Sequence, residues 1–326
     1  MRAILCKEYG PAESLVIEEI DSPVVGGRGV KVKVNVAALN FPDTLIIQGK
    51  YQLKPTMPFA PGGEMSGEVI DIGDKVTRFK VGDRVAGLTG FGAFAEELVV
   101  PEQNLLPVPE SMSDEKAAAF SMVYGTSYYA LKQRANLQAG ETLLVLGASG
   151  GVGLAAVELG KAMGAKVIAA ASTADKLEVA RLAGADELIN YTEEPLKDAV
   201  KKLTKGKGVD VIYDPVGGDF TEQALRAMAW NGRHLIIGFA AGDIPKIPAN
   251  LTLLKGCSVV GVFWGAFTQQ EPQESARNMM ELMGLFEQGK IDPKISESYE
   301  FGDYAKALNA LSERRAKGKI VLKVSA

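Results

Sequence analysis

The feature that most constrains this chain lies near its middle. A continuous apolar run, Thr142-Leu143-Leu144-Val145-Leu146, leads into Gly147-Ala148-Ser149-Gly150-Gly151-Val152-Gly153. A helical stretch follows from Val152 to Met163, and Gly164 closes it. An apolar run without alternation suits a parallel strand covered on both faces. Glycine just past a helix supplies the left-handed C′ residue. A second apolar strand, Lys166–Ala171, completes a βαβ unit. In that setting the glycines permit a tight turn and let the N–H groups at Gly150, Gly151 and Val152 approach a pyrophosphate at the helix N-terminus.

The same alternation continues. A helix that Thr173 can cap ends at Gly184, and Glu187–Tyr191, a lysine-rich helix and Val209–Tyr213 come next. A helix near Thr221–Met228 and the strand Leu235–Ile237 extend the series. Strands alternating with short helices predict right-handed crossovers and a doubly wound parallel sheet. The first third reads differently. In Val30-Lys31-Val32-Lys33-Val34-Asn35-Val36 apolar and polar residues alternate without a break, the pattern of a half-buried antiparallel strand. Gly67–Ile72 and Asp83–Ala86 are further short strands set off by Gly-Asp turns, which predicts a barrel-like β domain. After about Ala266 a helix carries Ala276, Met279, Met280, Met283 and Phe286 at helical spacing, read as a core face. A second helix over Asp303–Arg315 and a strand over Ile320–Val324 close the chain. The fold class is therefore α/β, with a second, β-rich domain.

Composition narrows the chemistry. The 326 residues hold 36 Lys+Arg against 40 Asp+Glu, a net charge of −4, which argues against nucleic acid or an anionic membrane as main partner. Lys197, Lys201, Lys202, Lys205 and Lys207 form a basic stretch, but Asp198 interrupts it and no aromatic interleaves it, so a solvated helix face is expected. No apolar run reaches the roughly 18 residues of a membrane span, and the start lacks a leader pattern, so a cytoplasmic protein is expected. The 2 Cys (Cys6 and Cys257) and the single His234 are far apart in sequence, too few for a structural zinc site. No metal is expected. His234 precedes Leu235-Ile236-Ile237 and reads as an imidazole at a strand start.

The end of the second parallel strand points to the cofactor. A site for an unphosphorylated ribose places Asp or Glu about 20 residues past the glycines. Here the stretch is Ala169-Ala170-Ala171-Ser172-Thr173, with Lys176 on the following helix. Ser172, Lys176 and Tyr191 suit a 2′-phosphate, so NADPH is expected over NADH.

Four segments carry a family likeness: Asn40-Phe41-Pro42-Asp43, Pro61-Gly62-Gly63-Glu64-Met65-Ser66-Gly67, the glycine loop, and Ile189-Asn190-Tyr191. With them the whole chain resembles zinc-free members of the medium-chain dehydrogenase/reductase superfamily, in the quinone oxidoreductase group. Ile237-Gly238-Phe239-Ala240 and Gly261-Val262-Phe263-Trp264-Gly265 point to one branch of that group. The resemblance implies a GroES-like catalytic domain over 1–122 and 266–326, around a Rossmann domain over 123–265. It implies that Asn40, Tyr51 and Thr126 face the nicotinamide end, and it adds Phe239, Phe263 and Trp264 to the cofactor-binding residues. Phe91, Phe263 and Trp264 could also wall an apolar acceptor pocket. Asp43 is read as a helix cap. In zinc-dependent relatives a catalytic Cys stands at the position of Asn40 and a metal-binding His at that of Gly63.

The activity this implies is hydride transfer from NADPH, in a cleft between the domains, to a small quinone or α,β-unsaturated carbonyl. An enoyl-thioester reductase and a non-catalytic NADPH-binding sensor or RNA-binding protein are the alternatives. The apolar segment Ser258–Trp264 is expected to join two copies into a homodimer through a sheet edge.

Overall fold

The computed structural model describes residues 1–325, which divide into two compact units: residues 1–122 with 293 onward, and residues 123–292.

The first unit begins with β1 (Arg2–Leu5) and β2 (Val16–Glu19), an antiparallel pair. Its main sheet is built on the long β3 (Gly29–Ala38), where Val30, Val32 and Val34 are wholly buried, as the alternating pattern requires. Helix α1 (Phe41–Ile46) follows, then β4 (Glu64–Ile72), β5 (Arg84–Leu88), β6 (Glu97–Pro101) and β7 (Leu105–Pro107). β4 starts three residues before the expected Gly67, so Glu64 stands on the strand rather than in the turn before it. Gly67 tolerates no side chain, because a Cβ there would lie 2.0 Å from the Lys33 carbonyl oxygen. Helix α2 (Asp114–Ala118) is capped by Ser113, whose hydroxyl accepts the Lys116 N–H, and α3 (Ser121–Tyr129) comes next.

The second unit holds a six-stranded, all-parallel sheet. Its strands are β8 (Thr142–Leu146), β9 (Lys166–Ala171), β10 (Glu187–Asn190), β11 (Val209–Asp214), β12 (Met228–Ile236) and β13 (Ser258–Gly261), in the order β10-β9-β8-β11-β12-β13. The order reverses at β8 and β11, the switch point outside which open α/β sheets bind ligands. The crossover helices are α4 (Gly151–Ala162), α5 (Ala174–Leu182), α6 (Leu196–Leu203), α7 (Asp219–Arg226) and α8 (Ala249–Lys255). Thr173 caps α5 through its hydroxyl on the Lys176 N–H. β13 ends at Gly261, short of the expected Trp264, because Trp264 opens α9 (Trp264–Gln270).

Helix α10 (Pro272–Glu287) also belongs to the second unit. The return to the first unit comes at Pro293 rather than at the expected Ala266, because α10 is bound to α3 and the segment after it. Asn278 Oδ1 accepts Gln133 at 2.9 Å, and Glu281 accepts the Tyr128 hydroxyl at 2.6 Å and pairs with Lys132. The methionine face is also corrected. Met280 and Ala276 are exposed or partly so along a mixed helix, and the buried stripe is Ser275, Asn278, Met279 and Leu282. β14 (Ile295–Glu300), α11 (Tyr304–Ser312) and β15 (Lys319–Lys323) then rejoin the first unit, where β15 pairs with β3 and β14. No helix among the described residues is long and apolar enough to cross a membrane.

Candidate functional site

In the second unit the glycine loop links β8 to α4. Gly147 has a φ of +57°, and its carbonyl accepts the Gly150 N–H at 3.0 Å, which closes the turn. Gly150 is the N-cap, and its carbonyl accepts the Leu154 N–H at 2.8 Å. That leaves the N–H groups of the first helical turn, from Gly151 and Val152 onward, without partners inside the helix. A Cβ on Gly153 would lie 2.3 Å from the Gly147 carbonyl oxygen, so only glycine lets the helix start this close to the loop. Ser127 on α3 fixes the same place: its hydroxyl donates to the Val152 carbonyl at 3.0 Å and bonds the Tyr213 hydroxyl at 2.8 Å.

At the end of β9 two of the residues expected to recognise phosphate, Ser172 and Lys176, come together, and Tyr191 follows β10 next to them in the sheet. Lys176 Nζ donates to Ser172 Oγ at 3.4 Å, and the Thr192 hydroxyl donates to the Ser172 carbonyl at 3.2 Å. The Tyr191 N–H bonds the Ala171 carbonyl at 3.2 Å, and the Tyr191 ring leans on Phe220 with centroids 4.4 Å apart. Asp214, at the end of β11, escaped the sequence reading. It is buried, and it accepts from Val216 N–H, Gly217 N–H and the Thr221 hydroxyl while bonding His234 Nε2 at 3.0 Å. Burial pushes its carboxyl up, but His234 and these donors more than offset that and hold it below the usual carboxylate range. A carboxylate in an apolar strand end was the available signal. The loop after β12 is packed onto this turn, with Phe239 lying over Gly217.

Two assigned aromatics differ from each other. Trp264 is buried, and its indole lies over Gly125, where a Cβ would come within 2.4 Å of the ring. Phe263 beside it is 60% exposed, so of this pair only Phe263 presents a ring to the outside. Thr126 stands half-buried on α3.

In the first unit Asn40 ends the extended segment after β3 and caps α1. Its N–H donates to Asp43 Oδ2 at 2.7 Å, so Asp43 does cap. The Asn40 carboxamide is already committed. Nδ2 donates to Glu64 Oε2 at 3.0 Å and to the Ala38 carbonyl at 3.4 Å, and Oδ1 accepts from Lys319 Nζ at 2.6 Å. Asn40 therefore does not offer amide donors to a bound acceptor, contrary to expectation. Burial pushes the Asp43 carboxyl up to about 7, against the pull of the Asn40 N–H and the Lys319 ammonium. Burial and then the charge of Asp43 push the Tyr51 phenol up, so its O–H stays protonated at neutral pH. Phe91 meets Phe59 edge to face, with centroids 6.2 Å apart. Glu64 and Lys319 were not singled out from the sequence. Both carry charges on strands, where a solvated face is the usual explanation.

Two family models match the chain: an alcohol dehydrogenase GroES-like domain over residues 26–110 and a zinc-binding dehydrogenase domain over residues 151–283. A quinone oxidoreductase-like protein 2 homolog of Nematostella vectensis is 44% identical over 98% of this chain and 88% of its own length. Human quinone oxidoreductase is 33% identical over 99% of this chain and 97% of its own. Among solved structures, Escherichia coli quinone oxidoreductase complexed with NADPH superposes with a TM-score of 0.91 at 30% identity, covering 99% of this chain and 100% of that one. With a GroES-like unit, a Rossmann-type parallel sheet and full-length relatives on both counts, the chain belongs to the quinone oxidoreductase group of the medium-chain dehydrogenase/reductase superfamily, a family of oxidoreductases.

Proposed function

We propose that this chain is an NADPH-dependent reductase that delivers hydride to a quinone or α,β-unsaturated carbonyl without a metal. The observation that supports the reading is the Lys176 ammonium on Ser172 Oγ at the end of β9, beside the glycine turn, whose Ala148 N–H bonds the Ala170 carbonyl, with the Tyr191 backbone bonded to Ala171. NADPH fits these residues. The N–H groups at Gly151 and Val152 hold its pyrophosphate, while the Gly150 N–H, expected to join them, is bonded to the Gly147 carbonyl; the absent Cβ of Gly153 keeps the helix start close to the loop. Lys176 and Ser172 bind the 2′-phosphate, which a carboxylate at that place would repel. Phe239 and Phe263 serve the same ligand, while Trp264 supports it from the core.

When bound, NADPH supplies the hydride. Quinones and enones accept hydride readily because the product anion is delocalised, so they do not need the Lewis acid that a saturated ketone uses. The Tyr51 phenol is the O–H donor proposed for the acceptor oxygen. Zinc does not fit the residues present. Where relatives carry a Cys ligand, the Asn40 oxygen holds an ammonium, and Gly63 has no donor. Among the described residues no group of three His, Cys, Asp or Glu is placed to hold a metal.

A homodimer through β13 belongs to the same proposal. Among the described residues no strand pairs with the outer edge of β13, although Arg134 Nε donates to the Gly261 carbonyl at 3.0 Å, and exposed Trp230, Leu253 and Phe263 lie on the segments around it. The exclusion of an apolar edge from water is what would drive it. Light scattering should give twice the mass of the chain, and a monomer at micromolar concentration would refute it. The free thiols of Cys6 and Cys257 suit a cytoplasmic setting.

Acceptor range tests the function. NADPH consumption is expected with 1,4-benzoquinone, 9,10-phenanthrenequinone or an alkenal. Consumption with crotonyl-coenzyme A alone would replace this reading by a thioester reductase, and tight NADPH binding without any reduction would replace it by a sensor. Cofactor choice is tested at Lys176. Lys176→Ala should weaken NADPH binding by roughly 10- to 100-fold, the loss of a charge-assisted contact of about 1.5–3 kcal/mol, and leave NADH nearly unchanged. Equal losses for the two cofactors would sink the phosphate assignment.

A further inference from the structure

His234 is fully buried on β12, paired with Ile212 of β11 on one side and Val259 of β13 on the other. An apolar β-branched side chain suits such a place, as both neighbours show. The imidazole makes one bond there, from Nε2 to Asp214 Oδ2. A carboxylate only accepts, so Nε2 carries the proton. Among the described residues Nδ1 has no partner. A buried ring nitrogen without a partner is a cost that valine at this position would not carry.

Asp214 holds more than the imidazole. Its Oδ1 accepts the N–H groups of Val216 and Gly217, each at 2.9 Å, while Oδ2 takes the Thr221 hydroxyl at 2.7 Å beside His234. One carboxylate thereby folds the turn after β11. That turn lies against the glycine turn, because a Cβ on Gly147 would stand 3.0 Å from Val216 Cγ2 and 3.7 Å from Pro215 Cγ. It also carries the loop after β12. The Pro215 and Val216 carbonyls accept the N–H groups of Ala240 and Ala241 at 3.1 and 2.8 Å, and Phe239 lies over Gly217. The His234–Asp214 bond therefore stands beneath a turn and a loop at the switch point of the sheet, next to the glycines.

We propose that His234 is a positioning residue for the dinucleotide: through Asp214 it holds the turn at 214–217 and the Phe239 loop in the arrangement that receives the cofactor. This rests on reading the glycine turn as the dinucleotide site. Loops ordered before the ligand arrives need not be ordered by it, so affinity rises without any contact between imidazole and ligand. Ser172 and Lys176 belong to the end of β9 and to α5, away from this bond. The contribution of His234 is therefore shared by NADPH and NADH.

The test is the Kd of each nucleotide by isothermal titration calorimetry, which needs no turnover, at temperatures where thermal unfolding shows each variant folded. His234→Val should raise Kd for NADPH and for NADH by the same factor, roughly 3–30-fold, the span usual for a residue that acts on a site through its neighbours. His234→Gln keeps a side-chain N–H where Nε2 stands and should recover most of the affinity. A Kd for folded His234→Val within about twofold of wild type overturns the proposal. So does an equal loss in His234→Gln, which would reduce the imidazole to packing, and so does a loss confined to NADPH, which would place the effect at the 2′-phosphate. If His234→Val does not fold, His234→Val combined with Asp214→Val replaces both partners by apolar side chains, a change that costs less than stranding one of them. Loss of affinity for both nucleotides in that folded pair supports the proposal, and wild-type affinity overturns it. A wild-type protein that binds neither nucleotide would instead overturn the dinucleotide reading, and the positioning role would fall with it.

Discussion

Asp214→Ala is expected to destabilise the protein by about 3–5 kcal/mol, the loss typical of breaking a buried charged network by removing one partner. The variant strands His234 and the Thr221 hydroxyl, both buried, and the N–H groups of Val216 and Gly217 lose their acceptor. Among the described residues His234 Nδ1 has no partner, so the imidazole would keep none of its present bonds. The pH dependence has a definite sign. The Asp214 carboxyl lies below its ordinary value in the folded protein, so its contribution is fully present above the unfolded-state pKa of roughly 4 and is lost as pH falls through the lower folded-state value. Urea unfolding at pH 7 and at pH 3 should show a large gap between wild type and variant at pH 7 and a smaller one at pH 3. A variant as stable as wild type at pH 7 would mean that water replaces the carboxylate without loss.

Asp43 should act in the opposite direction. Its carboxyl is raised by burial to about 7 in the folded protein, so the folded state binds this proton more tightly than the unfolded chain does. The stability it contributes is complete below the unfolded-state pKa and is lost as pH rises through about 7. Each tenfold difference in proton affinity between folded and unfolded chain is worth about 1.4 kcal/mol, so the rise to about 7 makes the loss about 4 kcal/mol across that window. Asp43→Asn removes the titrating group, and its unfolding free energy should vary less than that of wild type between pH 4 and pH 8. Parallel curves for the two proteins would show that Asp43 does not carry the proton. The charges of Lys319 and Glu64 act on Asp43 as well, the first lowering its carboxyl and the second raising it.

Much of this was legible in the sequence, for reasons that differ between the units. In the parallel sheet, local pattern and tertiary environment agree: β8 and β9 read as unbroken apolar runs because both faces are covered, and Gly147 and Gly164 mark turns that need positive φ. The proposed phosphate contacts of Ser172 and Lys176 were legible because they follow directly from the end of β9, and Tyr191 because it follows β10. The cluster around Asn40 was only half legible. Asn40 and Asp43 lie three apart and form a local cap, but Glu64 and Lys319 reach them from distant strands, and nothing local says that a charged residue on a strand points inward. Lys319 looks like any lysine of a C-terminal strand until β15 is placed beside β3. The helical faces failed for a related reason. In α10 the buried positions include Ser275 and Asn278, and Asn278 is held inside by its bond to Gln133, which no hydrophobic periodicity reveals.

The central claim is hydride transfer from NADPH without a metal. Its most direct test is NADPH consumption by the wild-type protein with 1,4-benzoquinone, after exhaustive dialysis against EDTA and again after zinc is added. Many turnovers per chain in EDTA, unchanged by zinc, are predicted. No turnover in either condition, or turnover that appears only with zinc, would contradict the account.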